Sequence, residues 1–385
     1  MKLNLGSGDI VIPGYENLDG KRGDTIYPLP HATGSVDEIR ASHVLEHFPH
    51  RMTQAVLQDW VRALKPGGVL KIAVPDLTAI AQNYLTGAEQ PTQGFLMGGQ
   101  VDDADYHKAV FNADTLSELL RQVGLVSVNG WQSEVQDCAA LPISLNLMGW
   151  KRPEKWPSCY AIMSVPRLGF MDAFFCWYEA LTPLKIPMMK FTGAFWGQCM
   201  ERGFETVVKD GPPEFILTLD YDTIFDRQDI EDLLMVMVAN PHIDALAPIQ
   251  SARSKAHSLF TVRDASGKIV PEIPGEHFFP TAAKVATAHF GCTLVRTSSL
   301  NDLPKPWFHS RPDADGSWHK GRLDDDTYFW DIFAKAGKQL YLANRVAVGH
   351  LELMIRWPGD NESMAPLFQD HGEYQEKGVP EGVWR

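Results

Sequence analysis

The sequence predicts an α/β protein of two domains, and three observations support this fold class. The chain has 385 residues, more than one hydrophobic core usually organises. Short apolar strands alternate with amphipathic helical segments in both halves, which is typical of mostly parallel sheets covered by helices. Residues 153–157 form a charged, proline-flanked stretch that predicts a linker. We therefore expect domains at residues 1–152 and 158–357, followed by a C-terminal tail at 358–385.

In the first half, the alternation indicates a parallel or mostly parallel sheet. Apolar residues recur near helical spacing from residue 52 to 64. The proline and glycines of residues 65–68 end that helix, because proline cannot continue it and glycine accepts positive φ. We expect strands at residues 2–5, 38–42, 69–74 and 126–131, and helices at residues 52–64 and 112–124.

The second half repeats the alternation with an unrelated sequence. Its irregular stretch, residues 251–288, is too long for a plain connection and indicates a binding loop or a lid. We expect strands at residues 160–165, 215–219, 245–248, 292–296 and 339–348, and helices at residues 192–202, 229–238 and 327–336.

The composition argues against several classes of protein. There are 35 Lys and Arg against 48 Asp and Glu, a formal net charge of −13. This argues against a broad nucleic-acid-binding face, because such faces neutralise phosphates with Lys and Arg. The sequence contains no apolar run long enough for a membrane span and opens directly on a strand-like segment instead of a signal peptide. Five cysteines without a Cys-x-x-Cys pair fit a reduced, cytoplasmic chain.

Two glycines follow the first expected strand. Gly6 and Gly8 let the backbone turn tightly and approach a bound cofactor closely. Asp19 ends the next strand, where its carboxylate is suited to accept hydrogen bonds from ribose hydroxyls. On these residues alone, a cofactor-binding turn and a purely structural turn both remain open.

Four further strings occur in a fixed order after this turn. They are DEIRASHVLEH at 37–47, WVRALKPGGVLKI at 60–72, VPDL at 74–77 and HKAVFN at 107–112. Together they resemble the class I S-adenosylmethionine-dependent methyltransferases over roughly the first 150 residues. The resemblance implies a Rossmann-like methyltransferase fold with S-adenosylmethionine as its cofactor. It also implies that Gly6, Gly8 and Asp19 hold the cofactor, with Ser42 and His43 nearby.

Part of this pattern has a second interpretation. His43, Glu46 and His47 fit the His-x-x-Glu-His spacing of a helical zinc site, with His50 close in sequence. The methyltransferase resemblance implies the same string at a strand end instead of inside a helix. The strand-end interpretation is therefore favoured over a metal site.

In the second half, the string FILTLDYDT at 215–223 runs from a buried strand into two carboxylates. Alternation points the side chains of Asp220 and Asp222 the same way if the strand continues. Two like charges repel unless a cation lies beside them, and Mg²⁺ or Mn²⁺, which prefer oxygen ligands, meet that need and can hold a diphosphate. An exposed turn with capping aspartates is the alternative.

An ordered set of strings surrounds this pair of aspartates. They are PRLGF at 166–170, FGCTLVR at 290–296, LDDDTYF at 323–329 and VAVGH at 346–350. Together they resemble the inverting nucleotide-sugar glycosyltransferases of the GT-A fold, over roughly residues 157–355. The resemblance implies a nucleotide-diphospho-sugar transferase fold, a nucleoside diphosphate sugar donor (a UDP-sugar is favoured) and a Mn²⁺ or Mg²⁺ ion.

The same resemblance implies a role for individual residues. Pro166 and Arg167 are expected to bind the donor, and Asp220 to lie near its uridine or ribose. Asp222 and His350 are expected to ligate the metal, since a neutral imidazole is a common ligand.

An acidic pair late in the chain completes the expected site. Asp325 and Asp326 match the catalytic pair of the resemblance, with Asp326 as the general base that takes the acceptor's proton. Aspartates also favour the start of a helix, and one carboxylate can cap while another faces the substrate. Four aromatic residues near this pair suit an acceptor pocket or anchor surface loops: Trp307, Phe308, Trp318 and Trp330.

The residues and the two resemblances lead to one expectation of function. We expect a metal-dependent inverting glycosyltransferase that acts on an unknown acceptor hydroxyl, fused to an N-terminal methyltransferase-like domain. Two alternatives stay open. The chain is a methyltransferase with a recognition module in the first, and a catalytically inactive binding or scaffold protein in the second.

Overall fold

The computed structural model describes residues 1–166, 169–209, 211–251, 259–263, 268–270, 273–278, 280–318, 322–359 and 365–383. The chain divides into two compact units, Met1–Lys155 (unit 1) and Trp156–Arg385 (unit 2). The division falls between residues of the stretch that was expected to be a linker. Each unit has its own hydrophobic core.

Unit 1 is built on one six-stranded sheet. Its strands are β1 (Lys2–Leu5), β2 (Glu16–Leu18), β3 (Val36–Ser42), β4 (Leu64–Pro75), β5 (Leu125–Gly130) and β6 (Ser144–Lys151). They lie in the order β2-β1-β3-β4-β6-β5. Strands β1 to β4 are parallel, whereas β6 runs antiparallel to both of its neighbours. β6 has no counterpart among the strands expected from the sequence.

The α-helices of unit 1, all of whose residues are described, are α1 (Thr53–Ala63), α2 (Leu77–Leu85), α3 (Thr92–Met97) and α4 (Ala113–Gln122). The first and last agree with the two helices expected from the sequence. Asn112 starts α4 because its side chain accepts a hydrogen bond from the backbone N–H of Thr115, whose hydroxyl accepts from the N–H of Asn112 in return. The buried residues Leu116 and Leu120 then face the core.

The connection from β1 to β2 determines what unit 1 can offer a ligand. Residues 6–15 are all described and contain no helix. The N–H groups of a helix N-terminus, which often bind anions, are therefore absent from this connection. The glycine turn itself lies at the end of β1 instead.

Unit 2 is built on a mixed seven-stranded sheet with smaller ladders around it. Its described strands are β7 (Cys159–Ser164), β8 (Met188–Phe191), β9 (Phe215–Leu219), β10 (Thr223–Ile224), β11 (Ala245–Ile249), β12 (Phe260–Arg263), β13 (Ile269–Val270), β14 (Ala282–Lys284), β15 (Thr287–Ala288), β16 (Leu294–Arg296), β17 (Leu340–Ala347), β18 (Gly349–His350), β19 (Met354–Trp357) and β20 (Leu367–Asp370). The large sheet has the order β14-β17-β11-β16-β9-β7-β8. β7 is parallel to β8 and β9, and β16 is antiparallel to β9 and β11.

The described α-helices of unit 2 are α5 (Met171–Leu181), α6 (Trp196–Lys209), α7 (Arg227–Ala239), α8 (Asp325–Lys335) and α9 (His371–Lys377). α7 and α8 agree with expected helices to within two residues, and α6 overlaps the helix expected at residues 192–202 but ends at Lys209. α5 and α9 were not expected. Four short strands, β12 to β15, lie within the stretch expected to be an irregular loop or lid. The segment expected to be a C-terminal tail contains β20, which pairs with β19, and α9.

Three of the four aromatic residues expected near an acceptor pocket belong instead to the core of unit 2. Trp307, Phe308 and Trp330 are buried, and Trp330 stacks on Phe290 with 4.8 Å between ring centroids. Aromatic side chains are driven into the core by their large apolar area, so that expectation is wrong for these three. Trp318 alone of the four is exposed. Among the described residues, no helix is both long and apolar enough to cross a membrane.

Candidate functional sites

The strand order of unit 1 creates a crevice beside β1. β1 lies between β2 and β3, so the strands that follow it in sequence lie on opposite sides of it. Ligands of α/β proteins bind at such a topological switch point, outside the carboxyl ends of the strands. Gly6, Asp19 and His43 follow β1, β2 and β3 directly, and Ser42 is the last residue of β3. The structure thus brings the expected cofactor residues to one edge of the sheet.

Gly6 and Gly8 both adopt a backbone conformation that disfavours other residues. Their φ angles are +62° and +51°, in the left-handed region that glycine enters without a steric penalty. A Cβ on Gly6 would lie 2.3 Å from Cγ2 of Val44, whereas a Cβ on Gly8 would meet no atom within 4 Å. Both glycines are thus required by the turn, and Gly6 is also required by close packing.

Asp19 holds the glycine turn in place. Its Oδ2 accepts a hydrogen bond of 2.6 Å from the backbone N–H of Gly8, and its Oδ1 accepts one of 2.7 Å from Lys21. Each carboxylate oxygen can accept a second bond. Asp19 is therefore able to fix the turn and still accept hydrogen bonds from a ligand.

His43 has a strained backbone and two side-chain neighbours. Its φ of +53° is unusual for a residue with a Cβ, and such strain concentrates at functional sites. Its Nε2 lies 2.9 Å from Oγ of Ser144, and its Nδ1 lies 3.2 Å from Oε1 of Glu46. The ring of His43 is thus held between β6 and the turn that follows β3.

Two adjoining cavities open at this edge of unit 1. Their volumes are about 430 Å³ and about 450 Å³, and small-molecule sites commonly have about 300–1,000 Å³. Gly6 and His43 line both, while Gly8 and Ser42 line the first and Asp19 the second. The five expected cofactor residues therefore line these two adjoining cavities, which together we call the cofactor cleft.

Three other side chains meet at this cleft, and they differ from the ligand set that the sequence pattern suggested. Ligand atoms of Glu46, His47 and His107 all lie within 4.8 Å of one another. His47 lines both cavities and His107 lines the first. His50 is exposed and is not part of the group. His107 was missed because it lies on a distant loop, and no spacing in the sequence connects it to residues 43–47.

Unit 2 has a switch point of its own. β7 is flanked by β8 on one side and β9 on the other, so its carboxyl end borders a crevice by the same rule. Pro166 follows β7 after one residue, and Asp220 follows β9 directly. Arg167, the other residue expected to bind the donor, lies outside the described residues.

Asp222 and His350 are brought together by strand pairing. Thr223 of β10 is paired with His350 of β18, and the N–H of Leu351 donates to the carbonyl of Asp222. Nε2 of His350 lies 3.6 Å from Oδ1 of Asp222, while Nδ1 lies 3.0 Å from the carbonyl oxygen of Ser251. A carbonyl partner on one ring nitrogen orients the other toward a metal. The two expected metal ligands are thus adjacent.

Asp220 faces a different set of partners. Nε1 of Trp196 donates to its Oδ1 at 3.3 Å, and Nε2 of His289 lies 3.3 Å from its Oδ2. The ring of His289 is 5.9 Å from that of His350, centroid to centroid. His289 is therefore part of the same polar cluster, although no pattern in the sequence singled it out.

The acidic pair at the start of α8 diverges. Oδ1 of Asp326 accepts a hydrogen bond from the N–H of Thr327, and burial raises the pKa of Asp326 although nearby His289 opposes that rise. Asp325 instead packs against α6, since a Cβ on Gly197 would lie 2.5 Å from its carboxyl carbon. The two carboxylates therefore have different surroundings, and of these two Asp326 is the one whose pKa is affected by the charge of His289.

A larger cavity of unit 2, about 640 Å³ in volume, does not coincide with this cluster. Its lining includes Val262, His277 and Phe333 but no residue of the acidic cluster. This cavity therefore does not coincide with the residues that were expected to bind a donor, which lie at the switch point instead.

Comparison with known families decides the nature of unit 1. The family of methyltransferase domains matches residues 17–72, from within β2 to within β4. The chain therefore contains a Rossmann-like methyltransferase domain, and the segment that matches it lies within unit 1. The matched segment includes Asp19, Ser42 and His43, which follow or end β2 and β3 at the cofactor cleft.

Three solved structures that are similar to parts of the chain all have TM-scores below 0.5. A197 from STIV is 14% identical over 50% of this chain and 85% of its own length, with a TM-score of 0.36. GalNAc-T7, solved with UDP, GalNAc and Mn²⁺, is 10% identical over 63% of this chain and 53% of its own length, with a TM-score of 0.36. A SAM-dependent methyltransferase from Archaeoglobus fulgidus is 14% identical over 39% and 85%, with a TM-score of 0.26. Comparison with curated proteins gives no match.

Proposed function

We propose that the chain carries two transferase sites. The methyltransferase domain transfers a methyl group from S-adenosylmethionine, and unit 2 transfers a sugar from a nucleoside diphosphate sugar, with UDP as the favoured nucleotide. The observation that carries the first assignment is the cofactor cleft at the switch point of a methyltransferase domain. The observation that carries the second is the Asp222–His350 pair at the switch point of unit 2.

The cofactor cleft fits S-adenosylmethionine in size and in polar groups. S-adenosylmethionine, when bound, supplies a methyl group on a positively charged sulfur. The turn at Gly6 and Gly8 lets the backbone approach a ligand without a side chain in between. Asp19, already positioned by the N–H of Gly8, accepts hydrogen bonds from ribose hydroxyls, while His43 lines both cavities of the cleft.

Calorimetric titration of the full chain with S-adenosylmethionine tests the first assignment. We expect binding to the wild-type chain, and roughly tenfold weaker binding by Asp19→Asn, because one charge-assisted hydrogen bond is worth about 1.5 kcal/mol or more. Asp114→Asn is the matched control, since this aspartate is exposed at the start of α4. Equal affinities for all three chains would exclude Asp19 from cofactor binding.

The acidic cluster of unit 2 fits a divalent metal and a diphosphate. Mn²⁺ or Mg²⁺ is usually held by one or two carboxylates together with substrate phosphates, and here Asp222 and His350 would be its protein ligands. Such an ion, when bound, neutralises the charge that develops on the departing diphosphate. Asp220 and Trp196 then border the nucleoside side of the cluster.

Asp326 has the environment of a general base. Its raised pKa makes the carboxylate a stronger proton acceptor than an exposed aspartate. It holds the proton of the acceptor hydroxyl while the acceptor oxygen attacks the sugar from the face opposite the diphosphate, which gives inversion. Asp325, packed on α6, orients the first turn of α8 instead of contacting the substrate.

Release of UDP from a panel of UDP-sugars, measured with and without Mn²⁺, tests the second assignment. We expect Mn²⁺-dependent release, loss of release in Asp222→Asn, and unchanged release in the control Asp302→Asn, an exposed aspartate of the same unit. UDP should also raise the melting temperature of the wild-type chain only when Mn²⁺ is present. Release by Asp222→Asn at the wild-type rate would refute the metal assignment, and no effect of either ligand on either unit would favour a scaffold protein.

A further inference from the structure

The group formed by Glu46, His47 and His107 is held in place by backbone contacts. The carbonyl oxygen of Glu46 accepts hydrogen bonds from the N–H groups of Lys108 and Ala109, at 2.7 and 3.2 Å. These two bonds fix the loop that carries His107 against the short 3₁₀ turn Leu45–His47. The three side chains are therefore close together because of main-chain geometry, which does not depend on how the side chains themselves are charged.

In the imidazole rings of His47 and His107, Nδ1 lies close to a backbone carbonyl oxygen. Nδ1 of His47 lies 3.3 Å from the carbonyl oxygen of Tyr106, and Nδ1 of His107 lies 3.0 Å from that of Phe95. A carbonyl acceptor holds the proton on Nδ1, so the lone pair of each ring that can bind a metal is on Nε2. This arrangement of a metal-ligating histidine with a carbonyl behind it is typical of protein metal sites.

Glu46 supplies a carboxylate that the protein leaves without hydrogen bonds. The residue is 1% exposed, and neither of its carboxylate oxygens accepts a hydrogen bond in this fully described unit. Nδ1 of His43 lies 3.2 Å from Oε1 without forming one. Burying a carboxylate is costly unless a cation or several donors compensate for the lost water. A cation beside Glu46 would provide that compensation.

We propose that Glu46, His47 and His107 form a site for a divalent transition-metal ion of the zinc type at the wall of the cofactor cleft. Two imidazoles and one carboxylate, with a further coordination position open, are the ligand set of catalytic zinc sites. His47 and His107 both line the first cavity of the cleft, so an ion held by them would border this cavity. The metal site itself stands independently, whereas its role toward the acceptor rests on the proposed methyl transfer.

The geometry requires only a small contraction to bind the ion. Ligand atoms around tetrahedral zinc, at about 2.0–2.1 Å from the metal, lie about 3.4 Å apart. The three residues already have ligand atoms within 4.8 Å of one another. The ligand atoms therefore have to approach one another by at most about 1.4 Å.

The open position suggests what the ion does for the acceptor. An oxygen, nitrogen or sulfur atom that coordinates zinc loses its proton more readily, as bound water does. The proton is released to the solvent through the open cleft, and the resulting lone pair attacks the methyl carbon. The carbon–sulfur bond breaks with its electrons passing to sulfur, which leaves S-adenosylhomocysteine. Charge and atoms balance without any further reactant.

Metal titration of the chelator-stripped full chain tests the site directly. To exclude the acidic cluster of unit 2, all chains carry the Asp222→Asn substitution. We expect one equivalent of Zn²⁺ to bind in competition with a chromogenic chelator and to raise the melting temperature. Co²⁺ should bind in its place and give the visible absorption of a tetrahedral ion. Failure to bind either ion at stoichiometric concentration would overturn the proposal and favour a simple Glu46–His43 ion pair.

Substitutions identify the ligands. Glu46→Gln and His107→Gln should each weaken Zn²⁺ binding by about 100-fold or more, since even outer-shell changes cost about 10–100-fold. His50→Gln is the matched control, because His50 lies in the same sequence pattern but is exposed and outside the group. Wild-type affinity in His107→Gln, or a loss in His50→Gln, would refute this ligand set.

The metal site and the proposed function fail separately. S-adenosylmethionine binding without Zn²⁺ binding would overturn the metal site and leave the methyltransferase assignment intact. Zn²⁺ binding without S-adenosylmethionine binding would leave the site but overturn its role in methyl transfer. If both bind, depletion of the ion should abolish methyl transfer and leave cofactor affinity within about twofold; activity of the depleted chain would overturn the role.

Discussion

Replacing Gly6 by alanine tests the packing of the cofactor cleft quantitatively. At φ +62° a residue with a Cβ is destabilised by roughly 1–2 kcal/mol. The new Cβ would lie 2.3 Å from Cγ2 of Val44, and such overpacking of a buried site costs typically about 1–3 kcal/mol. Gly6→Ala should therefore lower the free energy of unfolding of unit 1 by about 2–5 kcal/mol.

Gly8→Ala is the matched control, because Gly8 has a similar φ of +51° but no atom within 4 Å of its Cβ position. Gly8→Ala should lower the free energy of unfolding only by the backbone contribution, about 1–2 kcal/mol. Hydrogen exchange of peptides from β1 and β3 reports on unit 1 alone and measures both values. The double variant Gly6→Ala/Val44→Ala should regain part of the steric share. Equal losses in the two single variants, with no recovery in the double variant, would refute the packing argument.

Two further predictions concern half-buried carboxylates of unit 2. Asp326→Asn should abolish sugar transfer but spare binding of UDP with Mn²⁺, and loss of UDP binding in the variant would assign the base elsewhere. Because the pKa of Asp326 is raised, the transfer rate of the wild-type chain should fall on acidification at a higher pH than it would with an exposed aspartate as the base. Burial raises the pKa of Asp229 from 3.8 to about 6 in the native state, which therefore binds the proton more tightly than the unfolded chain does. The stabilisation from this proton is complete below the pKa of the unfolded chain and is lost as the pH rises from 3.8 to about 6. Asp229→Asn should therefore gain stability over the wild-type chain at neutral pH and lose that advantage in acid, and parallel melting-temperature profiles would contradict this.

Strands with an uninterrupted apolar run and a clear stop signal were predictable from the sequence. Lys2–Leu5 ends at Gly6 and Phe215–Leu219 ends at Asp220, and both have the expected bounds. The strand Ser144–Lys151 was not predicted, because its residues are mostly half-buried and mix polar with apolar types. Its place in the sheet is set by pairing with β4 and β5 on either side, which no local pattern encodes.

The residues of the candidate sites that lie at the ends of strands were predictable from the sequence. The cofactor residues follow parallel strands, and parallel strands bring their carboxyl ends to one edge. The approach of His350 to Asp222 depends on a two-residue ladder, which the sequence alone does not reveal, although the glycosyltransferase resemblance implied it. His289 and His107 reach their sites through loops, and only tertiary contacts identify them.

The buried carboxylates of unit 1 differ in how the protein stabilises their charge. Asp19 accepts hydrogen bonds from two backbone N–H groups. For Glu38, burial alone would raise the pKa, but hydrogen bonds from Lys2, Lys71 and Tyr15 outweigh it and lower the pKa to about 2. Both charges are thus stabilised by the protein itself. Glu46 is the third buried carboxylate of this fully described unit, and it accepts no hydrogen bond. Because a charge buried without donors destabilises the fold, its position between two oriented histidines is best explained by an ion that the fold is built to receive.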